Sequence, residues 1–188
     1  MRKRLVILAS GQGSLAQAII DAPDLDAQIV AVISDRADAT VLERAKRASI
    51  NTSVIELSSD RTAWNEKIFE QVSNYKPDLV VCAGFMRILS SEFVSRFPTI
   101  NSHPALLPEF PGAHAVRDAI AAGVAVTGAT VHWVDAGVDT GPVITQMEVP
   151  VLPEDTEAVL HERIKKVERG LIVVTIALIL PTLETSTP

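Results

Sequence analysis

The sequence contains one cysteine, Cys82, and this scarcity restricts the chemistry available to the chain. A single thiol cannot form a disulfide framework or a cysteine metal site within one chain. Cys82 also lies in the apolar run at residues 79–83, where a cysteine usually acts as a small buried hydrophobic residue. We therefore expect Cys82 to belong to the core and not to act as a catalytic thiol.

The sequence also lacks an excess of positive charge. It has 17 basic and 23 acidic residues, which gives a formal net charge of −6 at pH 7. Proteins that bind DNA or RNA neutralise phosphates with clustered lysine and arginine side chains. The observed balance therefore does not favour a nucleic-acid partner, and ordinary solubility is enough to account for the acidic surface.

Long hydrophobic runs are missing as well. Residues 5–9 follow a basic cluster, as in a signal peptide, but this apolar stretch is too short and leads directly into a glycine turn. Residues 171–180 form an apolar run about half as long as a bilayer-spanning helix requires. We interpret both segments as buried elements of a cytoplasmic protein without a membrane partner. Because no repeat, low-complexity tract or linker interrupts the chain, we expect one domain over residues 1–188.

Short apolar segments alternate with amphipathic ones along the first half of the chain. This alternation is typical of right-handed βαβ units and a parallel sheet. Ser14 and Asp60 are expected to cap the first and third helices, because their side chains can accept a hydrogen bond from a backbone amide. The predicted strands cover residues 3–9, 28–34, 52–57 and 78–83, and the predicted helices cover residues 15–20, 40–48, 61–75 and 91–97.

The second half continues with a short strand at residues 99–103 and ends with a long helix. Further helices are predicted at residues 113–122 and 155–180, strands at 126–134 and 142–149, and a frayed polar tail at 184–188. We predict an α/β fold with a single, mostly parallel twisted sheet and helices on both faces. Ligands of such sheets bind at the carboxyl ends of the strands, so the site is expected at the loops 11–14, 85–89 and 101–104.

A glycine-rich turn follows the first predicted strand. Gly11-x-Gly13-x-x-Ala16 opens a helix, and Asp35 stands at the end of the second strand, as in the dinucleotide-binding fingerprint. Backbone amides at a helix N-terminus bind a phosphate whatever it is attached to. The motif predicts phosphate binding but does not distinguish a single phosphate from a dinucleotide, and a tight turn that binds nothing is the structural alternative.

Asn101 and His103 define a candidate reaction centre at the end of the fifth predicted strand. Residues i and i+2 of a strand point to the same face, so these two side chains project together and Ser102 projects to the opposite face. Pro104 restricts His103 to an extended conformation. A hydrogen-bond donor therefore lies beside a titratable base, which suits acid–base and oxyanion chemistry.

A catalytic imidazole usually needs a partner that fixes its tautomer and favours its charged form. Asp139 and Asp135 both lie in a glycine-containing loop and are candidates, although either could be a turn residue. Arg61 and Arg87 lie near strand-end loops and could bind carboxylate or phosphate. For Arg61 the alternative is a solvated position in the first turn of a helix, and for the segment around Arg87 it is core packing.

Other chemistries fit the sequence poorly. Ser102 faces away from His103, and no Gly-x-Ser-x-Gly nucleophile motif is present. The four histidines, including His114 at a helix start and His132 on a strand where we expect burial, show no zinc-ligand spacing. Direct transfer of an acyl-like group between two bound substrates remains the reaction class that suits these residues best.

Several motifs together resemble those of the folate-dependent formyltransferase family. They are Asn101-Ser102-His103-Pro104-Ala105-Leu106-Leu107-Pro108 followed by Phe110-Pro111-Gly112, and residues 10–14, 83–89, 128–132 and 137–142. The resemblance extends from the first strand to about Leu171. It implies the formyltransferase fold, with a Rossmann-like half over about residues 1–100 that binds a nucleotide phosphate. The half over about residues 101–180 would then carry catalysis and folate binding.

Within that family the chain is similar to the branch that acts on glycinamide ribonucleotide. The resemblance implies transfer of the formyl group of 10-formyltetrahydrofolate, a co-substrate, to the ribonucleotide amine in de novo purine biosynthesis, without a metal. These two small molecules are the implied partners, and a monomer or homodimer is expected. The length of the chain favours this small-molecule acceptor, because relatives that formylate methionyl-tRNA or hydrolyse formyltetrahydrofolate carry an additional domain.

The resemblance also implies roles for individual positions. Asn101 would donate to the formyl oxygen, His103 would support the oxyanion and transfer a proton, and Asp139 would hold the imidazole charged or organise a water. The remaining matches are Gly11, Gly13, Ser14, Leu15 and Glu168 for the ribonucleotide, and Arg61, Met86, Arg87, Ile88, Leu89, Asn101 and Asp139 for the folate.

Two positions depart from the family pattern. Leu15 stands where asparagine is common, which leaves backbone contacts to bind the phosphate, and Glu109 stands where lysine is often found. A nicotinamide-dependent oxidoreductase is one alternative function, suggested by the glycine motif with Asp35, but it leaves Asn101 and His103 without roles. A non-catalytic nucleotide-sensing module is the other alternative.

Overall fold

The computed structural model describes residues 2–183, so the tail predicted at residues 184–188 lies outside the described residues. The strands within this range are β1 (Lys3–Leu8), β2 (Ala27–Ser34), β3 (Asn51–Val54), β4 (Leu79–Cys82), β5 (Thr99–His103), β6 (Val126–Trp133) and β7 (Val143–Pro150). The helices are α1 (Ser14–Ile20), α2 (Thr40–Arg47), α3 (Arg61–Asn74), α4 (Ser91–Arg96), α5 (Ala115–Ala121) and α6 (Glu157–Ile179). A short 3-10 turn, Leu180–Thr182, follows α6.

The seven strands form one sheet in the order β3-β2-β1-β4-β5-β6-β7. The pairs from β3 to β5 are parallel, whereas β5–β6 and β6–β7 are antiparallel. The prediction of a mostly parallel sheet is therefore confirmed. Strand β1 lies inside the sheet: β2 and β3 are added on one side of it, and β4 to β7 on the other. The strand order therefore reverses between β1 and β4. Their carboxyl ends are therefore where the fold leaves a crevice for ligands.

Two apolar layers cover the sheet because successive strand residues point to opposite faces. On one face, Leu5 and Ile7 of β1 belong to a cluster with residues of α1, α2 and α6. On the other face, Val6 and Leu8 pack with Trp64 of α3 and with the aromatic residues of α4. Helices therefore cover both faces, as predicted, and hold the strand ends in fixed positions.

The first helix differs from its prediction. Ser14 does not cap α1 but is its first residue, and the preceding Gly13 is in the left-handed region with φ of 73°. A Cβ atom at Gly13 would overlap the Val41 side chain of α2, so the turn needs glycine for both conformation and space. Asp60 does cap α3, as predicted, since its Oδ1 accepts a hydrogen bond from the Ala63 amide at 3.0 Å.

The long C-terminal helix α6 crosses β6 and β7 on the first of the two faces. Thr156 caps it by accepting a hydrogen bond from the Val159 amide at 3.3 Å. Its β-branched second half remains helical because residues such as Ile172, Thr175 and Ile176 are buried against the sheet. In the described part of the chain, no helix combines the length and apolarity that crossing a membrane requires.

Candidate active site

A cavity of about 410 Å³ lies beside the carboxyl ends of β4 and β5. Its walls come mainly from the loop at residues 84–89, the end of β5, and the loop between β6 and β7, with further contributions from residues 112–113, His132 and His161. Cys82 lies at its base, where burial raises the pKa of the thiol to about 12, so the thiolate is scarce at neutral pH. The cavity is therefore suited to chemistry carried by Asn101, His103 and their neighbours.

Strand β5 presents opposite chemistry on its two faces, as the alternation predicts. Asn101 and His103 line the cavity together and share a contact with Asp139. Ser102 points away and donates a hydrogen bond to Glu168 Oε1 of α6 at 2.7 Å. Ser102 is therefore excluded as a nucleophile for a substrate bound beside His103.

Asp139 is the residue that connects the candidate catalytic groups. Its Oδ2 lies 3.3 Å from His103 Nδ1 and accepts a hydrogen bond from the Gly112 amide at 2.8 Å. Its Oδ1 accepts from Asn101 Nδ2 at 3.4 Å. Asp139 itself has a left-handed backbone with φ of 54°, an unusual conformation for a residue other than glycine. The loop is therefore held in a conformation that turns this carboxylate toward β5.

The environment of Asp139 favours its charged form. Burial disfavours the carboxylate and raises its pKa, but hydrogen bonds from His132 and Gly112 and the nearby His103 lower it by more. The pKa of Asp139 therefore lies below its usual value of 3.8, and the side chain is negative at neutral pH. By contrast, Asp135 bonds within its own loop, to the Gly137 amide and the Thr140 hydroxyl. Of the two predicted partners, Asp139 is the one placed beside His103.

The imidazole of His103 is fixed from both sides. Nε2 is 2.8 Å from the Phe110 carbonyl oxygen, which can only accept, so Nε2 donates this bond. Nδ1 faces Asp139, and the ring is almost completely buried. A doubly protonated imidazolium therefore has an acceptor at each nitrogen, which makes His103 suitable as an acid or as a cationic support for a developing oxyanion.

His132 is also part of the site, although its sequence context marks it only as a buried strand residue. It is buried, as expected, and it pairs with Asn101 in the antiparallel β5–β6 register. Its Nε2 lies 3.3 Å from Asn101 Nδ2 and 3.4 Å from Asp139 Oδ1. The ring can therefore accept from the amide when neutral or donate to the carboxylate when protonated. Only the register of β6 against β5 brings it there, and the only advance signal was its position on a strand.

The loop at residues 85–89, predicted to contact the folate, is attached to the body of the protein by three side chains. Ser10 Oγ accepts a hydrogen bond from the Met86 amide at 2.9 Å, and Arg61 donates one to the Ile88 carbonyl. Arg87 Nε forms an ion pair with Asp35 Oδ2 at 2.6 Å. Met86 and Ile88 expose apolar side chains at the cavity, whereas Leu89 is buried. A flat apolar ring could therefore lie against this loop.

The segments predicted to bind the ribonucleotide lie outside the cavity wall. Gly11 and Gly13 form the turn before α1, and Ser14 and Leu15 are the first two residues of that helix. The Ser10 amide, just before this turn, donates to the Gly84 carbonyl at 3.0 Å. Leu15 is buried in the core, so only its backbone is available to a phosphate.

Glu168 is buried behind β5, on the face opposite the cavity. Burial raises the pKa of its carboxyl group, and the hydrogen bond from Ser102 opposes this shift. The nearby charges of Lys165 and Arg169 also oppose the shift, by smaller amounts. Glu168 therefore contacts β5 through Ser102. Glu109, which with Leu15 departs from the family pattern, is exposed on the loop after β5.

The oxidoreductase alternative from the sequence loses its structural basis. Asp35, which would contact a ribose in a dinucleotide site, is buried and paired with Arg87. Within residues 2–183, no group of three or more His, Cys, Asp or Glu side chains is arranged to hold a metal ion. The connected polar cluster consists of Asn101, His103, His132 and Asp139, and His161 of α6 also lines the cavity.

An α/β sheet with such a polar cluster at the ends of β4 and β5 defines a group-transfer enzyme of the Rossmann-like class. The chain belongs to the formyl transferase family, whose sequence profile matches residues 3–176. It is an enzyme of that family, and the resemblance noted from its motifs is confirmed.

Individual relatives agree with this assignment. Phosphoribosylglycinamide formyltransferase of Mycobacterium tuberculosis H37Rv is 53% identical over 180 residues, covering 93% of this chain and 83% of that protein. The enzyme of the same name from Escherichia coli K12 is 42% identical over 174 residues, covering 89% and 82%. The crystal structure of glycinamide ribonucleotide transformylase 1 from Symbiobacterium toebii superposes with a TM-score of 0.93 at 40% identity, covering 98% and 92%. The predicted fold class is thereby confirmed.

Proposed function

We propose that the chain transfers the formyl group of 10-formyltetrahydrofolate to the amine of glycinamide ribonucleotide. The products would be N-formylglycinamide ribonucleotide and tetrahydrofolate, a step of de novo purine biosynthesis. The names of the relatives support this acceptor, and one structural observation carries the chemistry. Asp139 contacts both Asn101 and His103 on the face of β5 that lines the cavity.

The proposed reaction is a direct transfer. The ribonucleotide amine attacks the formyl carbon, the carbonyl becomes tetrahedral, and the bond from that carbon to N10 of the folate then breaks. Asn101 Nδ2 donates to the oxygen as negative charge develops on it, and protonated His103 supports the same charge. The proton lost by the amine reaches the leaving nitrogen through His103 or a water that Asp139 organises.

The two substrates would meet at Asn101 and His103, at the end of β5. The folate ring would bind against the loop at residues 86–89, with Arg61 nearby at the start of α3. The ribonucleotide phosphate would bind backbone amides of the turn formed by Gly11, Gly13, Ser14 and Leu15. Glu168 would contact the ribonucleotide close to Ser102. We also propose a cytoplasmic monomer or homodimer, in keeping with small-molecule substrates alone.

The first prediction is that the native protein forms N-formylglycinamide ribonucleotide and that His103→Ala loses most of its turnover. The expected loss in kcat is about two to three orders of magnitude, the usual effect of removing one group that stabilises an oxyanion. Product formation from 10-formyltetrahydrofolate and glycinamide ribonucleotide measures it directly.

His114→Ala is the matched control for this experiment. His114 is exposed at the start of α5, so the same substitution there should leave turnover close to the native value. Unaltered turnover in His103→Ala would refute the assigned centre. Thermal stabilisation of the native protein by NADH, without stabilisation by tetrahydrofolate, would instead favour the oxidoreductase alternative.

A further inference from the structure

We propose that Asp35 is a positioning residue for the folate-binding loop, acting through its buried ion pair with Arg87. The pair holds the backbone of residues 86–89 at the cavity wall and so determines the affinity for the formyl donor. This inference rests on the proposed function, since it takes the loop as the folate site. Neither the family resemblance nor the names of the relatives give Asp35 a role in this chemistry.

The contact itself is close and well shielded. Arg87 Nε lies 2.6 Å from Asp35 Oδ2, and the Asp35 side chain has no exposed surface. Among residues 2–183, no donor bonds to the second oxygen, Oδ1, which is buried too. The buried carboxylate therefore depends on the Arg87 guanidinium to compensate its charge. Because breaking a buried ion pair leaves an uncompensated charge, Asp35 holds Arg87, and with it the loop, in one position.

The place of Asp35 in the fold explains why the pair can control the loop. Asp35 follows β2 directly, whereas Arg87 follows β4, so the ion pair crosses above the carboxyl end of β1. Ser10, at the end of β1, accepts from the Met86 amide, and Arg61 of α3 holds the Ile88 carbonyl. The ion pair therefore fixes the central residue of the loop, and these two hydrogen bonds hold the residues on either side of it.

This arrangement leaves the cavity side of the loop free for a ligand. Met86 and Ile88 are 66% and 58% exposed, while Leu89 is buried beneath them. With Arg87 directed toward Asp35, a flat ring could hydrogen-bond to loop peptide groups other than the Met86 amide and the Ile88 carbonyl, which Ser10 and Arg61 already occupy. Loss of the pair would allow Arg87 to turn toward solvent and would release these peptide groups, without affecting Asn101, His103 or Asp139.

The test is the affinity of the protein for tetrahydrofolate, measured by calorimetry in the native protein and in Asp35→Asn. Asparagine has nearly the same shape but no charge, and we expect the dissociation constant to rise about tenfold, the scale of one charge-assisted hydrogen bond. The KM for glycinamide ribonucleotide and kcat at saturating folate should remain within about twofold, because the reacting groups lie elsewhere. Arg87→Met should resemble Asp35→Asn, and the double variant should be no worse than either single one.

Asp38→Asn is the matched control, because Arg36 and Asp38 form an exposed pair at 2.8 Å in the same loop after β2. Its tetrahydrofolate affinity should equal that of the native protein. The double variant replaces both members of the ion pair by neutral groups and leaves no buried charge unpaired. Its tetrahydrofolate affinity therefore tests the inference even if a single variant fails to fold.

Three results would overturn the inference. They are unchanged tetrahydrofolate affinity in folded Asp35→Asn, an equal rise in the KM for ribonucleotide, and additive losses in the double variant. If the native protein itself does not bind tetrahydrofolate, the proposed function fails together with the inference. Native binding with unchanged binding in Asp35→Asn rejects the inference alone.

Discussion

The Asp139 carboxylate contacts three side chains that are neutral or positively charged. It contacts Asn101, His103 and His132 and accepts a further bond from the Gly112 amide. Each contact stabilises the negative charge that burial alone would disfavour. A charged group of this kind keeps the two imidazoles in defined orientations before a substrate arrives, which is the condition for effective electrostatic catalysis.

Asp139→Asn should therefore lower kcat by about 100-fold or more, the usual contribution of a positioned acid–base system, with smaller changes in either KM. The shape is retained but the charge beside His103 is lost. Steady-state kinetics at neutral pH provide the measurement, with Asp118→Asn, on the exposed surface of α5, as control. Equal activity of Asp139→Asn and the native enzyme would remove Asp139 from the mechanism.

The residues of the site differ in how far the sequence could reveal them. The common direction of Asn101 and His103 follows from strand alternation and needs no tertiary information. His132 was underrated because its contact depends on the β5–β6 register, which no local pattern fixes. Asp35 was interpreted through a ligand motif, whereas its partner Arg87 lies 52 residues away in the sequence.

At the scale of elements, helix α3 supports the loop that we propose binds the folate. It begins with Arg61, whose guanidinium reaches the Ile88 carbonyl and lies 4.4 Å from the centre of the Trp64 ring. The start of the helix is fixed by the Asp60 cap, which the sequence predicted correctly. By contrast, the prediction of Ser14 as a cap was wrong, because a left-handed glycine takes that position and moves the helix start by one residue.

Asp60→Ala should lower the free energy of unfolding by about 1 kcal/mol, the usual cost of removing an N-cap acceptor. Asp60 is exposed, so no loss of core packing accompanies the change. Urea denaturation measures the difference, and Asp60→Asn is the control because asparagine also caps well. If both variants lose the same stability, the hydrogen bond to the Ala63 amide is not the cause.

Element boundaries show where local patterns stop being informative. Strand β3 ends at Val54 and not at residue 57, and helix α5 covers Ala115–Ala121 and not 113–122. Differences of one to three residues at the ends of elements are expected, because local sequence patterns do not determine where the hydrogen-bonded ladder or helix stops. The order of elements, by contrast, follows from hydrophobic alternation, and it was predicted correctly from β1 to α6.

At the scale of the whole molecule, the partly buried Asp139 and the buried Glu168 give the stability opposite dependences on pH. Asp139 has a lowered pKa, so its contribution is present above its unfolded value of 3.8 and disappears as the pH falls through the folded value. Glu168 has a pKa raised by burial, so its protonated form favours the native state. That contribution is present below the unfolded value of 4.5 and decreases as the pH rises toward the folded value.

Glu168→Gln should therefore stabilise the protein at about pH 8 relative to the native chain and have little effect at about pH 4. Glutamine keeps an acceptor for the Ser102 hydroxyl and removes only the titration. Thermal unfolding of both proteins at the two pH values tests this, with exposed Glu162→Gln as control. A constant difference in Tm at both pH values would show that the Glu168 charge is not involved.

Strand β5 has a further consequence for how this protein can change over time. Its five residues alternate between the cavity and α6, so the chemistry depends on the parity of position within the strand. Insertion or deletion of one residue before Asn101 would exchange the two faces, bringing Ser102 to the substrate side and sending its neighbours toward Glu168. A single substitution along β5 therefore leaves the other side chains on their faces, whereas an insertion or deletion preserves the faces only if it involves two residues.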